Sequence, residues 1–325
     1  MTPRTVLGLT IYGDGAHLAE AVESILAQTA RDFVLLMLDD GSPDRRAKAL
    51  ALEYVRRDAR VTYWRHAERQ GMIATWREVA ETARTRYPGA EFFAWVSDHD
   101  RWDARWLERM VQALDRAPAA VLAYPQTQLI DRDGEQVGKE PRTFDTSAVA
   151  DAGARWRHFC WSGYGSGDMV YGLMRTSALA GAGTFRTVLS PDRLLMAELT
   201  LRGRIVQVPE VLWSRRQSSA ASVSRQSTTL VAGPAPRHFS WPPSVQHAAV
   251  LWRHYRTGGA ASGSGPTFGA VTLFAMLLEY IAASGWRDVR KTETSKRLGR
   301  GVDAVHIPYR GNGPMLQALL ANDVQ

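Results

Sequence analysis

The sequence predicts an α/β fold: a Rossmann-like, mostly parallel sheet flanked by helices, with a helical C-terminal extension. Three observations predict it. Strand-like and helix-like segments alternate through the first 124 residues. Phe33–Leu38 is an unbroken apolar run of the kind a strand buried on both faces carries. Helical periodicity returns after a Pro-rich stretch at Pro234–Pro243.

Val6–Ile11 is a short apolar run, and Ala16–Gln28 sets Leu18, Val22, Ile25 and Leu26 on one helical face. After Phe33–Leu38, the turn Asp39-Asp40-Gly41-Ser42-Pro43-Asp44 offers Ser42 as N-cap and Pro43 as first residue of a helix reaching Asp58. Val61–His66 reads as a strand, Ile73–Arg86 as a helix and Phe92–Val96 as a strand. Arg105–Leu114 is helical and Ala120–Tyr124 strand-like. This rhythm predicts a doubly wound sheet with right-handed crossovers.

Beyond Tyr124 the pattern loosens. Asp131-Arg132-Asp133-Gly134 reads as a hairpin turn between Thr127–Ile130 and Gln136–Gly138. A Gly-rich loop, Gly163–Gly167, precedes a strand at Met169–Met174. Asp192–Leu201 is an amphipathic helix, and Ile205–Arg216 holds one or two strands around Pro209. Ser218–Thr229 and Pro234–Pro243 read as loop and linker. Helical patterns at Val245–Tyr255 and Phe268–Ala283 flank Gly258–Gly265. The expected organisation is one α/β domain over 1–230, divided into a first half (1–124) and a second half (125–230). A linker at 231–243 and a helical extension at 244–325 follow.

Composition narrows the function classes. With 325 residues, 45% of them hydrophobic and 22% charged, the chain reads as ordered and globular. Its net charge of +7 is almost all arginine and suits a protein that meets diphosphates or an anionic membrane surface. The basic residues are scattered among Asp and Glu, which argues against nucleic acid. Cys160 is the only cysteine, so an intrachain disulfide and a Cys-based zinc site are excluded. The opening segment lacks a secretory pattern, and a cytoplasmic location is the expectation. Val271–Ala283 is apolar, too short for a clean membrane span and interrupted by Glu279, so it reads as a buried helix. The basic residues within Arg287–Arg300 keep peripheral attachment to the cytoplasmic membrane face as a second expectation for the C-terminal helices.

Two acidic clusters carry the chemistry. Asp39-Asp40 ends the second strand and Asp98-His99-Asp100 the fourth. In an open parallel sheet, ligands bind beyond the carboxyl ends of the strands, so both clusters meet at one rim with Thr10 and Tyr12. Carboxylates gathered there repel unless something cationic lies between them. A hard divalent ion chelating a phosphate supplies that partner. Asp39-Asp40 is also compatible with plain turn chemistry.

With these motifs in place, the chain resembles family 2 glycosyltransferases over about residues 5–216. The stretch LAEAVESILAQTARDFVLLMLDDGS, Leu18–Ser42, is close to the usual opening of that family. The resemblance implies a GT-A fold, a nucleotide-sugar donor and a divalent cofactor, Mn²⁺ or Mg²⁺. It sets Thr10 and Tyr12 against the nucleoside and gives Asp40, with Asp39 beside it, the reading of the base. Ser97–Asp100 becomes the DxD equivalent, with Asp98 on the donor and either His99 or Asp100 as principal metal ligand. Gly71 falls among the donor contacts, and Trp76 stands where many relatives carry Asn. Asp192, at the start of a helix, is implied as general base, although an Asp there also suits the helix dipole. Arg216, in Arg215-Arg216-Gln217, is implied as a diphosphate clamp. Trp161 and Tyr164 of the Gly-rich loop are candidates for stacking on a sugar, while Trp102 reads as packing. The acceptor, whether glycan, lipid-linked or small molecule, has no transferable pattern.

Rival readings are weaker. A haloacid-dehalogenase-like phosphotransferase wants its DxD on the first strand. A dinucleotide oxidoreductase wants Gly-x-Gly-x-x-Gly, and Gly13-Asp14-Gly15 is followed by Leu18. A nucleotide-sugar-binding protein without catalysis is the non-enzymatic alternative.

Overall fold

The computed structural model describes residues 2–13, 15–137, 143–162, 166–216, 229–256 and 266–297, with backbone alone at 166, 167 and 287–297. Several expected features lie outside the described residues: the loop at 163–165 with Tyr164, Gln217, the Ser-rich stretch to 228, Gly258–Gly265, and everything after 297. The basic side chains within Arg287–Arg300 also lie outside.

Strand β1 (Thr5–Ile11) is the axis of the first half, parallel to both β2 (Phe33–Asp39) and β4 (Phe92–Ser97). Beyond β2 lies parallel β3 (Val61–Arg65). Helices α1 (Leu18–Leu26), α2 (Arg45–Arg57) and α3 (Met72–Arg86) make the crossovers. The unbroken apolar runs have a direct cause. Val6 joins the core containing Trp76 and Val79 of α3, whereas Leu7, Leu9 and Ile11 join the opposite core with Leu18, Val22 and Ile25 of α1. Alternate side chains enter two cores, so both faces are apolar along most of the strand.

The second half comprises β5 (Arg101–Trp102), α4 (Trp106–Arg116), β6 (Ala120–Ile130), α5 (Ala152–Ser162), α6 (Ser166–Met169), β7 (Leu173–Arg175), α7 (Thr176–Gly181), α8 (Pro191–Arg202) and β8 (Arg204–Arg216). After a short 3-10 turn at Arg237–Ser240 come α9 (Pro243–Arg256) and α10 (Ala270–Arg297). The sheet runs β3-β2-β1-β4-β7-β6-β8-β5. Antiparallel β7 joins the first half to β6, which pairs parallel with β8.

Several local expectations shift. Helix α2 is capped by Asp44, whose carboxylate accepts from Arg46 N at 2.8 Å, while Ser42 N donates to Asp39 instead. The strand expected at Met169–Met174 is the three-residue β7 preceded by α6. The hairpin turn is present, with Asp131 Oδ1 accepting from Asp133 N and Glu135 N. Helix α8, expected to be amphipathic, is buried nearly all round, and its Glu198 pairs with Arg186 at 2.7 Å. Phe239, in the stretch read as linker, is packed: it buries with Leu230 against Ile73 and Leu189. Ala248 and Leu251 of α9 and Leu273, Leu277, Tyr280 and Ala283 of α10 share one core with α3 and α8.

Candidate active site

Strand register sets the rim. Ile11 pairs with Asp39 and Thr10 with Ser97, so β1, β2 and β4 end level. A cleft of about 230 Å³ opens there. Thr10 and Tyr12 come from β1 and its exit, Asp40 follows β2, and Ser97, Asp98 and His99 follow β4. Arg69, Trp76, Tyr171 and Thr229 also line it. The two acidic clusters therefore share a cavity, although Asp39, Gly71 and Asp100 stand behind its surface.

The neighbouring acids at the end of β2 do different things. Asp39 is fully buried; it accepts from Ser42 N at 2.7 Å, Tyr63 Oη at 3.0 Å and Arg65 Nε at 3.1 Å. Its carboxylate holds the turn and the end of β3, not the cleft. Asp40 accepts from Gln70 N at 2.6 Å and Gly71 N at 2.9 Å, and its Oδ1 stands 3.0 Å from His66 Nδ1. A carboxylate offers about four acceptor positions, so Asp40 keeps one for a ligand. Gly71 has φ +89°, and a Cβ there would stand 2.7 Å from the backbone of Val231. Only glycine lets the chain turn under residues 231–232 into α3.

His66 is a residue the sequence reading passed over. Its Nε2 lies 2.8 Å from Glu78 Oε2, so both ring nitrogens face carboxylates. Burial alone would lower its pKa, and the Asp40 and Glu78 hydrogen bonds outweigh that and raise it. The available signal was positional: β3 is parallel to β2 and ends one residue before His66, at the same rim.

At the end of β4, Asp98 Oδ2 accepts from Tyr12 N at 3.3 Å and Oδ1 from His99 Nδ1 at 2.7 Å. That contact fixes the His99 tautomer with Nε2 free of the Nδ1 proton, 3.9 Å from Asp100 Oδ1. Burial would lower the His99 pKa, but the Asp98 hydrogen bond and the Asp100 and Asp98 charges leave it raised. Asp100 is 2% exposed, accepts from Arg216 N at 2.8 Å, and has its carboxyl pushed up by burial.

Arg216, expected as the diphosphate clamp, and its neighbour Arg215 differ in burial and partners. The Arg216 guanidinium is buried and donates to His99 O, Asp131 O, Arg132 O and Glu20 Oε2, tying the hairpin turn beneath the acidic loop. Arg215 is the half-exposed one, donating to Asp168 Oδ1 at 2.6 Å. Tyr171 links the cluster to Asp192. Its hydroxyl is pushed far up by burial, then by the Asp100 charge, with Asp98 and Asp192 adding and Arg215 opposing. Asp192 is partly exposed at the start of α8. Its carboxyl is raised by burial, against N–H groups of Arg193 and Asp192 and the charges of Arg193 and Arg215. Ser190, two residues earlier, holds φ +51°, a left-handed conformation costly for a side-chain-bearing residue.

Among the described residues no group of three or more His, Cys, Asp or Glu is arranged to hold a metal. His99 and Asp100 nonetheless fit as two donors of one ion. Donors each about 2.1 Å from a cation stand between about 3 and 4.2 Å apart, and theirs are 3.9 Å apart. Trp102, read as packing, is buried against Trp213, and Trp161, a candidate for stacking on a sugar, is half-exposed with its Nε1 donating to Glu279 on α10.

Comparison with known proteins decides the class. Residues 8–163 match the family described as Glycosyl transferase family 2. Over this span the chain is similar to family 2 glycosyltransferases. No curated protein matches the sequence. Among solved structures, residues 1–349 of S. aureus TarS with UDP-GlcNAc are 12% identical, with TM-score 0.58 over 86% of this chain and 72% of that one. The same fragment without ligand is 11% identical, with TM-score 0.57 over 98% and 79%. Mannosyltransferase PcManGT from Pyrobaculum calidifontis with GDP-Man and Mn²⁺ is 15% identical, with TM-score 0.48 over 100% and 87%. At these identities the likeness to TarS is one of fold alone, a mostly parallel sheet flanked by helices.

Proposed function

We propose that this chain moves a sugar from a nucleoside-diphosphate donor to an acceptor hydroxyl in one inverting displacement, aided by Mn²⁺ or Mg²⁺. One observation carries the reading: the nucleoside-sized cleft, the Asp98-His99-Asp100 loop and a proton-avid Asp192 meet around Tyr171. Thr10, Tyr12 and the spare acceptor position of Asp40 suit a nucleoside. Arg69 lies against Tyr12, its guanidinium 4.9 Å from the ring centre, and so holds that ring at the wall of the cleft. Arg215, on the exposed side of the rim, is the guanidinium available to the diphosphate.

His99 and Asp100 would hold the cation, Asp98 keeping the His99 Nε2 lone pair aimed outward. When bound, the cation supplies charge neutralisation to the departing diphosphate. Asp192 accepts the acceptor hydroxyl's proton as its oxygen bonds to the anomeric carbon. The bond from that carbon to the diphosphate oxygen breaks on the opposite face, and the electron pair leaves with the nucleoside diphosphate. A carboxylate with raised pKa is matched to that proton transfer.

The test is titration of UDP and GDP sugars with and without Mn²⁺, followed by turnover. His99→Ala is expected to abolish the metal-dependent part of donor affinity. Asp192→Asn is expected to leave that affinity within about twofold while lowering kcat at least a hundredfold, the span typical of general base loss. Donor affinity indifferent to Mn²⁺, or full turnover in Asp192→Asn, would sink the respective assignment.

We also propose peripheral contact with an anionic membrane through α10. Val271, Leu278 and Trp286 are 84%, 40% and 52% exposed and recur at two-turn spacing along one helix face. Among the described residues no helix is long and apolar enough to cross a membrane.

A further inference from the structure

The loop before α8 carries the left-handed Ser190, and Asp192 follows it on the first turn of the helix. The residue before Ser190 is gripped from both sides by α9. Leu189 N donates to Gln246 Oε1 at 3.0 Å, and His247 Nε2 lies 2.7 Å from Leu189 O. Both side chains are fully buried. The grip is itself anchored. Gln246 Nε2 donates to Trp241 O at 2.8 Å, and His247 Nδ1 lies 2.7 Å from Tyr280 Oη on α10.

The chemistry admits one protonation pattern. A carbonyl only accepts, so the proton is on Nε2 and the Tyr280 hydroxyl donates to Nδ1. The imidazole is thus neutral with both nitrogens satisfied, and burial drives its pKa down to about 4. One sequence-distant helix has thus supplied an acceptor and a donor to the two peptide groups that flank Leu189, next to a residue in a strained conformation. Buried polar groups so fully satisfied hold a unique backbone geometry.

We infer that Gln246 and His247 are positioning residues: by clamping Leu189 they hold the left-handed Ser190 turn and so aim the Asp192 carboxylate at the acceptor hydroxyl. The α9 helix is then part of the catalytic apparatus. This inference rests on the reading of Asp192 as general base. Neither side chain touches substrate; each acts through the backbone, and small misplacements of a base cost large factors in rate.

The experiment is a double-variant cycle on hydrolysis or transfer of UDP-N-acetylglucosamine, or the fastest member of a UDP- and GDP-sugar panel. His247→Leu removes the donor to Leu189 O. It is expected to lower kcat at least tenfold with donor KM within twofold. His247→Gln, whose amide nitrogen can occupy the Nε2 position, is expected to recover most of the loss. In the Asp192→Asn background, His247→Leu is expected to add less than twofold, because the base it aims is already gone. Multiplicative losses in the double variant would mark general damage and overturn the proposal, as would an unchanged kcat in His247→Leu. Should His247→Leu not fold, Gln246→Leu, which removes a single acceptor, takes its place in the same cycle. If Asp192→Asn keeps full turnover, the base assignment falls and the positioning role falls with it. If Asp192→Asn is inactive while the clamp variants are unaffected, the positioning role fails alone.

Discussion

At the scale of single residues, neighbours of identical type part company once their hydrogen bonds are counted. Arg215 and Arg216 are indistinguishable in the sequence, yet strand alternation sends one to the rim and buries the other beneath the acidic loop. The expected consequences differ in kind. Arg216→Ala strands the carbonyls of His99, Asp131 and Arg132 and is expected to cost about 2–4 kcal/mol of stability. Arg215→Ala loses a half-exposed ion pair with Asp168, worth at most about 1 kcal/mol, but is expected to weaken UDP binding roughly tenfold. Thermal melting and UDP titration on both variants separate the two. A fully stable Arg216→Ala with weakened UDP binding would return the clamp to Arg216. Asp39 and Asp40 repeat the lesson: the motif was visible as a pair, but Asp39 answers to Tyr63 and Arg65 on a strand whose pairing partner no local pattern names. His66 carried no sequence signal except its place after β3. The rim positions of Thr10, Tyr12, Asp40, Asp98 and His99 were legible because strand ends can be read from apolar runs.

At the scale of elements, legibility follows burial geometry. β1, β2 and β4 are sandwiched between two cores, so their apolar runs are continuous and easily read. The second half hides its elements. β7 has three residues, β6 and β8 lose register near Pro125 and Pro209, and α8 is buried nearly all round with Glu198 and Thr200 among its buried residues, which blurs the stripe that marks a surface helix. Helices α5 and α7 had no reading at all. The α9 contact makes an element-scale prediction with a definite sign. His247 has a folded pKa of about 4 against about 6.5 when unfolded. As pH falls through 6.5 the unfolded chain takes up a proton that the folded chain refuses. This contribution is fully present above about pH 6.5, is lost as pH falls toward 4, and totals about 3 kcal/mol. Denaturant unfolding at pH 7.0 and 4.5 is expected to show wild type losing about 2–3 kcal/mol more than His247→Gln over that interval. Parallel pH dependences would mean that the imidazole is already charged in the fold.

At the scale of the whole molecule, the C-terminal helices share the central core and also carry its least protected surface. Trp156 Nε1 donates to Met276 O and Trp161 Nε1 to Glu279, so α5 holds α10 with one face turned outward. Of the large apolar side chains exposed among the described residues, Trp161, Val271, Leu278 and Trp286 all belong to this corner. An apolar face of that kind on a protein monomer marks an interaction surface. Its occupant is argued by charge. The chain carries +7 overall, and the sequence immediately after Trp286 has Arg287, Arg290, Lys291, Lys296, Arg297 and Arg300 against Asp288 and Glu293. Apolar contact followed by basic sequence is the pairing that retains proteins on anionic bilayers. Wild type is expected to sediment with phosphatidylglycerol-containing vesicles, much less with phosphatidylcholine alone, and less as salt is raised. Combining Val271→Glu, Leu278→Glu and Trp286→Ser is expected to lower vesicle partitioning at least tenfold with little change in melting temperature, since all three side chains are exposed. Unchanged partitioning in that variant would remove the face from membrane contact. A concentration-dependent dimer in sedimentation velocity, abolished by the same substitutions and seen without vesicle binding, would give the face to a second copy of the chain. The transferase assay is unaffected by either outcome, so the membrane assignment and the catalytic one stand or fall separately.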